Sequence, residues 1–377
     1  MDAPYSYSVF QQVALLPDDW DRIAHRNLFL TRNYLSVLEQ SAPKNMQCFF
    51  IGVFQSDQLV AVALVQFLDL SDVESFGDRD SCLKTKIRNV VFKHFSSRVL
   101  FLGNNMLTGQ NALASDAPMT DHRIPQTLQS AIDELAAKLR PHLIVWKDFG
   151  PAHESWFKKG FEDFFRFRTQ PNMVFEIPSG WNRFDDYLHA MLKKYRDQYK
   201  RARKKAEGLE KRKLPLEEII ALQPQIYRLY RTVADKAPFN TFYLPHNHFA
   251  TFKRLLDDRF LFYGYFESGQ LVGFSTLIKN GPDIDTYFLG YDADCQREKM
   301  LYLNMLYDMT AYSVNNGYQR VIFARTALEI KSSVGARPTD AWGLIKHRNR
   351  IANFLMPKLF KYFEPELVWQ QRHPFKD

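Results

Sequence analysis

FFIGVFQSDQLVAVA at residues 49–63 and LFYGYFESGQLVGFS at residues 261–275 are one β-hairpin written twice. Phe, Gly, Phe, Ser, Gln, Leu and Val match at seven of fifteen positions, with a constant offset of 212. In the second copy the glycine of Ser268-Gly269 supplies the positive φ that a tight hairpin needs. Two further pairs follow in the same order. RVLFLGN (98–104) aligns with DTYFLGY (285–291) through Phe-Leu-Gly, at an offset of 187. SWFKKGF (155–161) aligns with IKSSVGA (330–336) through its glycine alone, at an offset of 175. Falling offsets mean one duplicated unit whose first copy carries extra loop residues, placed at 71–97. A repeat of roughly 150–180 residues is a domain, since solenoid periods run about 20–50.

The bulk properties fit that organisation. A chain of 377 residues, 46% hydrophobic and 24% charged, has room for two ordinary soluble cores. No apolar run reaches the ~18–20 residues of a membrane span. The start, MDAPYSYSVF, lacks the basic-then-apolar layout of a secretory signal. Cys48, Cys82 and Cys295 show no metal or redox spacing, which predicts reduced thiols and a cytoplasmic protein. His246 and His248 in LPHNHF have no third ligand nearby, so no metal is expected. The 32 phenylalanines suit two packed cores, or a channel for a long apolar ligand.

Charge is concentrated. Residues 193–213 hold eleven Lys and Arg against Asp197, Glu207 and Glu210, a local net of +8 equal to that of the whole chain. Tyr187, Met191, Tyr195 and Tyr199 recur every four residues, so a basic helical linker is expected over 187–213. Its cations, among them Lys193, Lys194, Arg196 and Lys200, form either a solvated face or a dock for an anionic partner. That partner is a phosphate-bearing donor, a carrier protein, tRNA or a membrane surface. No groove-reading module accompanies them, so sequence-specific DNA binding is not expected.

The second copy reads as helix, antiparallel strands, helix, strand, helix. Strands are expected at 260–266, 271–278, 285–291 and 318–324, with helices at 227–234, 301–315 and 327–334. The first copy offers helices in 20–40, a hairpin over 49–68, strands at 98–103 and 142–147, and helices at 125–139 and 152–159. This order resembles the GNAT superfamily of N-acyltransferases in tandem form. Trp156-Phe157-Lys158-Lys159-Gly160-Phe161 resembles that family's aromatic–x–x–x–Gly–Phe signature after the fifth strand. Two such folds joined by a basic helical segment resemble the Fem-type aminoacyltransferases and the long-chain N-acyltransferases. The resemblance implies an α+β or α/β fold of two GNAT-like domains, each a mixed, mostly antiparallel sheet flanked by helices. Their limits are expected at 1–180 and 216–377, with 181–215 as the linker. It implies no tightly bound cofactor. The acyl donor is acyl-CoA, acyl carrier protein or aminoacyl-tRNA, and the acceptor is an amine.

The pyrophosphate-binding turn of the family is Arg/Gln–x–x–Gly–x–Gly/Ala, where glycines let backbone N–H groups approach the anion. Cys295-Gln296-Arg297-Glu298-Lys299-Met300-Leu301 stands there instead, without glycine. Gln296, Arg297 and Lys299 would then meet an anion through their side chains. The first copy has Gly103-Asn104-Asn105-Met106-Leu107-Thr108-Gly109, a glycine-bearing loop without a basic residue.

Acyl transfer to an amine needs a proton acceptor, donors for the tetrahedral oxyanion, and a proton for the leaving group. In this superfamily the donor sits where two central strands splay apart, which points to the ends of 285–291 and 318–324. Asp285 and Asp292 are candidates to take a proton, and Tyr287 and Tyr291 to give one. Arg325, Thr326, Glu329 and Lys331 follow the second strand, and Lys331 is the leading candidate for the oxyanion, a phosphate or, by resemblance, the acceptor. Each has a plainer reading: core packing for Tyr287, a strand start for Asp285, an Arg325–Glu329 surface pair. Without a nucleophile turn, direct transfer is preferred, with Cys295 near a helix start as the one thiolate candidate. Three functions follow. A thioester-dependent N-acyltransferase, with a lipid precursor at the inner membrane as one acceptor, ranks first. An aminoacyl-tRNA-dependent transferase acting on cell-wall precursors is second, and a non-catalytic binding protein third. Chemistry is expected in the second copy.

Overall fold

The computed structural model describes residues 4–71, 96–116, 121–237, 240–363 and 369–376. Most of the added loop at 71–97, and Cys82, therefore lie outside the described residues. The first unit opens with β1 (Tyr5–Phe10), α1 (Trp20–Ala24) and α2 (Arg32–Ser41). The hairpin β2 (Met46–Gln55) and β3 (Gln58–Asp69) follows, then β4 (Arg98–Leu102) and β5 (Leu113–Ser115). A long helix α3 (Arg123–Leu139) crosses to β6 (Leu143–Phe149), and β7 (Phe165–Arg168) ends this stretch.

The second unit begins with β8 (Asn172–Glu176), α4 (Phe184–Ala190), α5 (Lys193–Lys205) and β9 (Leu209–Lys213). Helices α6 (Leu216–Ala221), α7 (Gln223–Ala234) and α8 (His248–Leu256) lead to the second hairpin, β10 (Phe260–Glu267) and β11 (Gln270–Asn280). Then come β12 (Asp283–Thr286), β13 (Gly290–Tyr291), α9 (Ala293–Lys299), α10 (Leu301–Asn315), β14 (Arg320–Ala324), α11 (Leu328–Ser333) and β15 (Arg337–Thr339). The chain closes with β16 (Trp342–His347) and α12 (Arg350–Phe363).

Two mixed sheets result, ordered β1-β2-β3-β4-β6-β16-β7 and β15-β8-β14-β12-β11-β10-β9, with β5 added to β3 and β13 to β11. Neighbouring strands run antiparallel except β4 with β6 and β12 with β14. Each of those parallel pairs is bridged by a helical crossover, α3 in one unit and α10 in the other. The fold is thus the expected pair of GNAT-like units.

The repeat is preserved in geometry. Ser56 and Asp57 have φ of 48° and 66°, and Ser268 and Gly269 have 49° and 79°, so both hairpins close through the same left-handed two-residue turn. Both carry an irregularity at matching places, between Val53 and Phe54 and between Tyr265 and Phe266. The Phe-Leu-Gly match does not survive. Leu277 pairs with Thr286 as Val65 pairs with Leu102, so Leu102 corresponds to Thr286 and the sequence match is three residues out of register.

The expected boundaries also shift. The compact units are Met1–Gln170, Pro238–Pro245 and Asp340–Glu366 for the first, and Pro171–Ala237, His246–Thr339 and Leu367–Asp377 for the second. Strand β16 is the reason: it pairs with β6 and β7, far away in sequence, and completes the first sheet. The segment expected as a linker belongs to the second unit. Its helix ends at Lys205, and Leu209–Lys213 is a strand that pairs with β10. The apolar stripe of that segment is buried nonetheless: Tyr187, Met191 and Tyr195 join the second core with Leu306, Tyr307 and Met309 of α10.

Candidate functional site

In the second unit β12 and β14 pair through Asp283–Arg320, Ile284–Val321 and Asp285–Ile322, and no further. Past that point β14 keeps only its pairing with β8, which runs on to Ala324, while Tyr287–Leu289 bridges β12 and β13. The expected third strand is therefore two short ones with a bulge between. Thr276 fixes the bulge, accepting from Tyr287 N at 3.0 Å and donating from Oγ1 to Phe288 O at 2.6 Å. The two diverging chain ends frame the candidate site.

One wall is the turn from β14 into α11. Ala324, Thr326 and Ala327 hold φ of 60°, 69° and 47°, an unusual run of left-handed residues with no glycine. Lys331 Nζ clamps it, donating to Arg325 O at 2.6 Å and Ala324 O at 3.3 Å. The side chain is 5% exposed. Burial alone pulls its ammonium down to about 7, since no carboxylate among the described residues offsets the lost hydration. An ammonium has three protons, and these two bonds use two of them.

Asp285 is the last residue of β12 that pairs with β14. It is 5% exposed, accepts from Asn280 Nδ2 at 3.3 Å, and is raised by burial to about 7. Beside it, Arg320 holds Asp283 with two bonds of 2.7 and 2.6 Å. Tyr287 follows, its hydroxyl sharing a 3.0 Å hydrogen bond with His248 Nε2. The sequence reading weighs His248 only as a metal ligand and misses this partnership. As the first residue of α8 it is fully buried, a position invisible while LPHNHF reads as a loop.

A buried carboxyl raised to about 7 has a definite stability signature. Its ordinary value is 3.8, so the folded state holds the proton between about pH 4 and pH 7 while the unfolded state has lost it. Wild-type stability from this group is full below that window and is lost as pH rises through it. Asp285→Asn keeps the bond from Asn280 without the charge. Its stability relative to wild type should climb between pH 5 and pH 8, by about 2–4 kcal/mol. Thermal melts at the two pH values test this, and a flat difference would refute it.

The remaining candidates divide. Tyr291 pairs with Gly273, lies 6.2 Å from the Tyr302 ring, and has its hydroxyl pKa raised by burial. Arg325 lends its carbonyl to Lys331, and Thr326 is exposed on the strained turn. Glu329, expected beside Arg325, is held by Arg372 of the C-terminal segment, and Arg372 N also bonds Ser332 Oγ at 2.9 Å. Asp292 caps α9, accepting from Asp294 N and Cys295 N at 3.0 Å. Arg297 pairs with Asp294 on the surface. Lys299 joins Glu267 at 3.2 Å and Glu207 O at 3.1 Å. Burial pushes the Cys295 thiol up to about 11, which removes the thiolate candidate.

Gln296 has a specific task. Its Oε1 accepts from Tyr302 N at 2.5 Å in the first turn of α10, and Met300 before it takes a left-handed φ of 50°. The bend that glycine makes in the family's turn is made here by methionine. An amide that would face a pyrophosphate is already bonded. The glycine-bearing loop of the first unit is filled too. A Cβ on Gly103 would lie 2.1 Å from Lys147 Cγ, so the glycine makes room for that stem. Lys147 Nζ donates to Asn104 O at 3.0 Å and pairs with Asp148. Asn105 N and Met106 N are bonded to Gln66 and Asn104 side chains at 2.7 and 3.1 Å.

On α5, Lys193, Lys194 and Lys200 are exposed, while Arg196 donates back to Met191 O. The inner side is tied to α10: Arg203 pairs with Asp308 at 2.7 Å, Asp308 also accepts from Tyr265, and Gln198 donates to Tyr307 Oη and Ser333 Oγ at 3.2 Å each. The basic face is thus held on a rigid support.

Two GNAT units with buried titratable groups where the second pair of central strands parts define an acyltransferase of tandem GNAT type. The family model for FemAB-like proteins, described as peptidoglycan biosynthesis/recognition, matches residues 12–347, and the chain belongs to that family. The crystal structure of FemX is similar over 95% of this chain and 100% of its own, at a TM-score of 0.56 and 11% identity. A tandem GNAT protein from the clavulanic acid biosynthesis pathway is 11% identical over 85% of this chain and 88% of its own, at a TM-score of 0.47. L-PGS from Bacillus licheniformis is 12% identical over 88% and 96%, at 0.46. No curated protein matches the sequence.

Proposed function

We propose that the chain transfers an aminoacyl group from aminoacyl-tRNA to a primary amine of a peptidoglycan precursor, with the chemistry in the second unit. Lys331 carries the proposal: a buried lysine, near neutrality, at the parting of the central strands. The acceptor amine attacks the ester carbon, the new C–N bond forms, and the carbonyl oxygen takes the charge. Lys331 donates its remaining proton to that oxyanion. Asp285, poised near pH 7, takes the proton that the amine must lose. The carbonyl then re-forms as the ester C–O bond breaks, and Asp285 returns the proton it took to the leaving ribose oxygen.

The choice of donor rests on Gln296. Its bond to Tyr302 N and the side chain at Met300 remove the glycine cradle for a coenzyme A pyrophosphate, which moves the thioester reading behind the tRNA reading. The exposed cations of α5 suit a phosphate backbone. Purified protein, charged tRNA with a labelled amino acid, and an amine-bearing precursor peptide should give a labelled peptide whose formation is abolished by prior RNase treatment. Lys193→Glu, Lys194→Glu and Lys200→Glu together should raise KM for charged tRNA by roughly tenfold or more and flatten its salt dependence. Product formed from acyl-CoA and none from charged tRNA would overturn the donor assignment.

A further inference from the structure

The last helix of the first unit has two faces of opposite character. Asn349 Oδ1 caps α12, accepting from Ile351 N at 2.9 Å and Ala352 N at 3.1 Å. Asn353 fixes the roll of the helix: its amide donates to Asp163 O and its oxygen accepts from His347 N, both at 2.8 Å. Met356, three residues on, is buried on the same side. The opposite stripe is Ile351, Phe354 and Leu355, at the i, i+3, i+4 spacing of one helix face. These residues are 75%, 80% and 39% exposed. Among the described residues only Leu15, Leu192 and Ile220 are other large apolar side chains so exposed, and they lie scattered. A stripe held outward by polar anchors on its back has no way to roll inward.

Charge identifies what covers it. From Arg348 to Phe363 the sequence contains Arg348, Arg350, Lys358 and Lys361 and no acidic residue. Arg348, Arg350 and Lys358 are exposed around the stripe. Apolar side chains framed by cations match a surface with anionic headgroups over hydrocarbon. No helix among the described residues is long and apolar enough to cross a membrane, so this one would lie in the interface. We propose that α12 docks the protein on an anionic lipid bilayer, with Phe354 and Ile351 inserted and Arg348, Arg350 and Lys358 at the headgroups. The proposal stands apart from the donor assignment and from the chemistry of the second unit.

Sedimentation with phosphatidylcholine vesicles, with and without phosphatidylglycerol, tests it on the full chain. Wild type should pellet with the anionic vesicles and remain in solution with the neutral ones. Ile351→Ser with Phe354→Ser should cut partitioning by roughly tenfold or more. Lys358→Glu should weaken it and leave a reduced salt dependence. Circular dichroism melts of the variants separate lost docking from lost folding. Failure of wild type to bind anionic vesicles, or equal binding by the double serine variant, would overturn the proposal. So would a concentration-dependent dimer, abolished by the serine substitutions, in analytical ultracentrifugation: the stripe would then be covered by a second copy.

Discussion

Lys331→Met will slow acyl transfer by about 10²–10³ and make the protein more stable at pH 6. Both effects have one cause. The ammonium is buried with no carboxylate partner among the described residues, and its affinity for a proton has fallen from the ordinary 10.5 to about 7. Below pH 7 both folded and unfolded chains carry the charge there, and the folded state bears its full desolvation cost, on the order of 4 kcal/mol. Methionine fills the same volume without charge. Its cost is the two carbonyls of Ala324 and Arg325 left without their donor, about 1 kcal/mol each. The net at pH 6 favours the variant. As pH rises from 7 toward 10.5 the unfolded chain binds the proton and the folded one does not, so wild-type stability increases and the variant's advantage shrinks. Turnover should fall by about 10²–10³, the usual effect of losing an oxyanion donor. Melts at pH 6 and pH 9 beside a single-turnover assay give both readings. Full activity in the Lys331→Met variant would remove Lys331 from the chemistry. A variant less stable at both pH values would mean that the clamp on the Ala324–Ala327 turn outweighs the buried charge.

Local patterns were legible in the sequence because local interactions made them. The hairpins at 46–69 and 260–280, the helix Leu301–Asn315 and the short helix bearing Lys331 all follow from alternation, 3.6-residue periodicity and turn chemistry. What failed was what depends on distant partners. Strand Trp342–His347 was not read at all, and nothing near it tells that it pairs with β6. Leu209–Lys213 is so basic that it reads as helix surface. On an edge strand, however, lysines guard the unpaired side, and the alternation from Leu209 fits. At the site, Lys331 and Asp285 were legible only by analogy of position, and the structure puts Asp285 near the end of its strand and Lys331 in the helix that follows β14. The bond between His248 and Tyr287 was not, because a residue 39 positions away has no local signature. Gly103 misled for a related reason: its lack of a side chain accommodates Lys147 rather than a phosphate.

Gly290→Ala should be the most damaging small substitution in the second unit. Gly290 pairs with Phe274 in the short strand β13, and α7 lies directly on it. A Cβ there would sit 2.5 Å from the backbone carbon of Leu229, 2.6 Å from the backbone nitrogen of Tyr230 and 2.5 Å from Phe274 Cε1. A flexible side chain can give way, but a helix backbone cannot. Either α7 moves outward and uncovers Ile226, Leu229 and Tyr230, all buried, or β13 leaves β11. Overpacking of this kind typically costs about 1–3 kcal/mol, and a clash with backbone on a helix places it at about 3 or above. The same movement would drag on Tyr287–Leu289, which joins β13 to β12 and forms one side of the site. Turnover should therefore fall along with stability. Ala114 of the first unit supplies an internal control: it pairs with Val62 as Gly290 pairs with Phe274, and already carries a Cβ. Urea titration with intrinsic fluorescence will measure the loss for Gly290→Ala against Ala114→Gly, which should cost under about 1 kcal/mol. Similar losses for the two would show that α7 is free to yield, and that the contact with Gly290 does not hold the bulge in place.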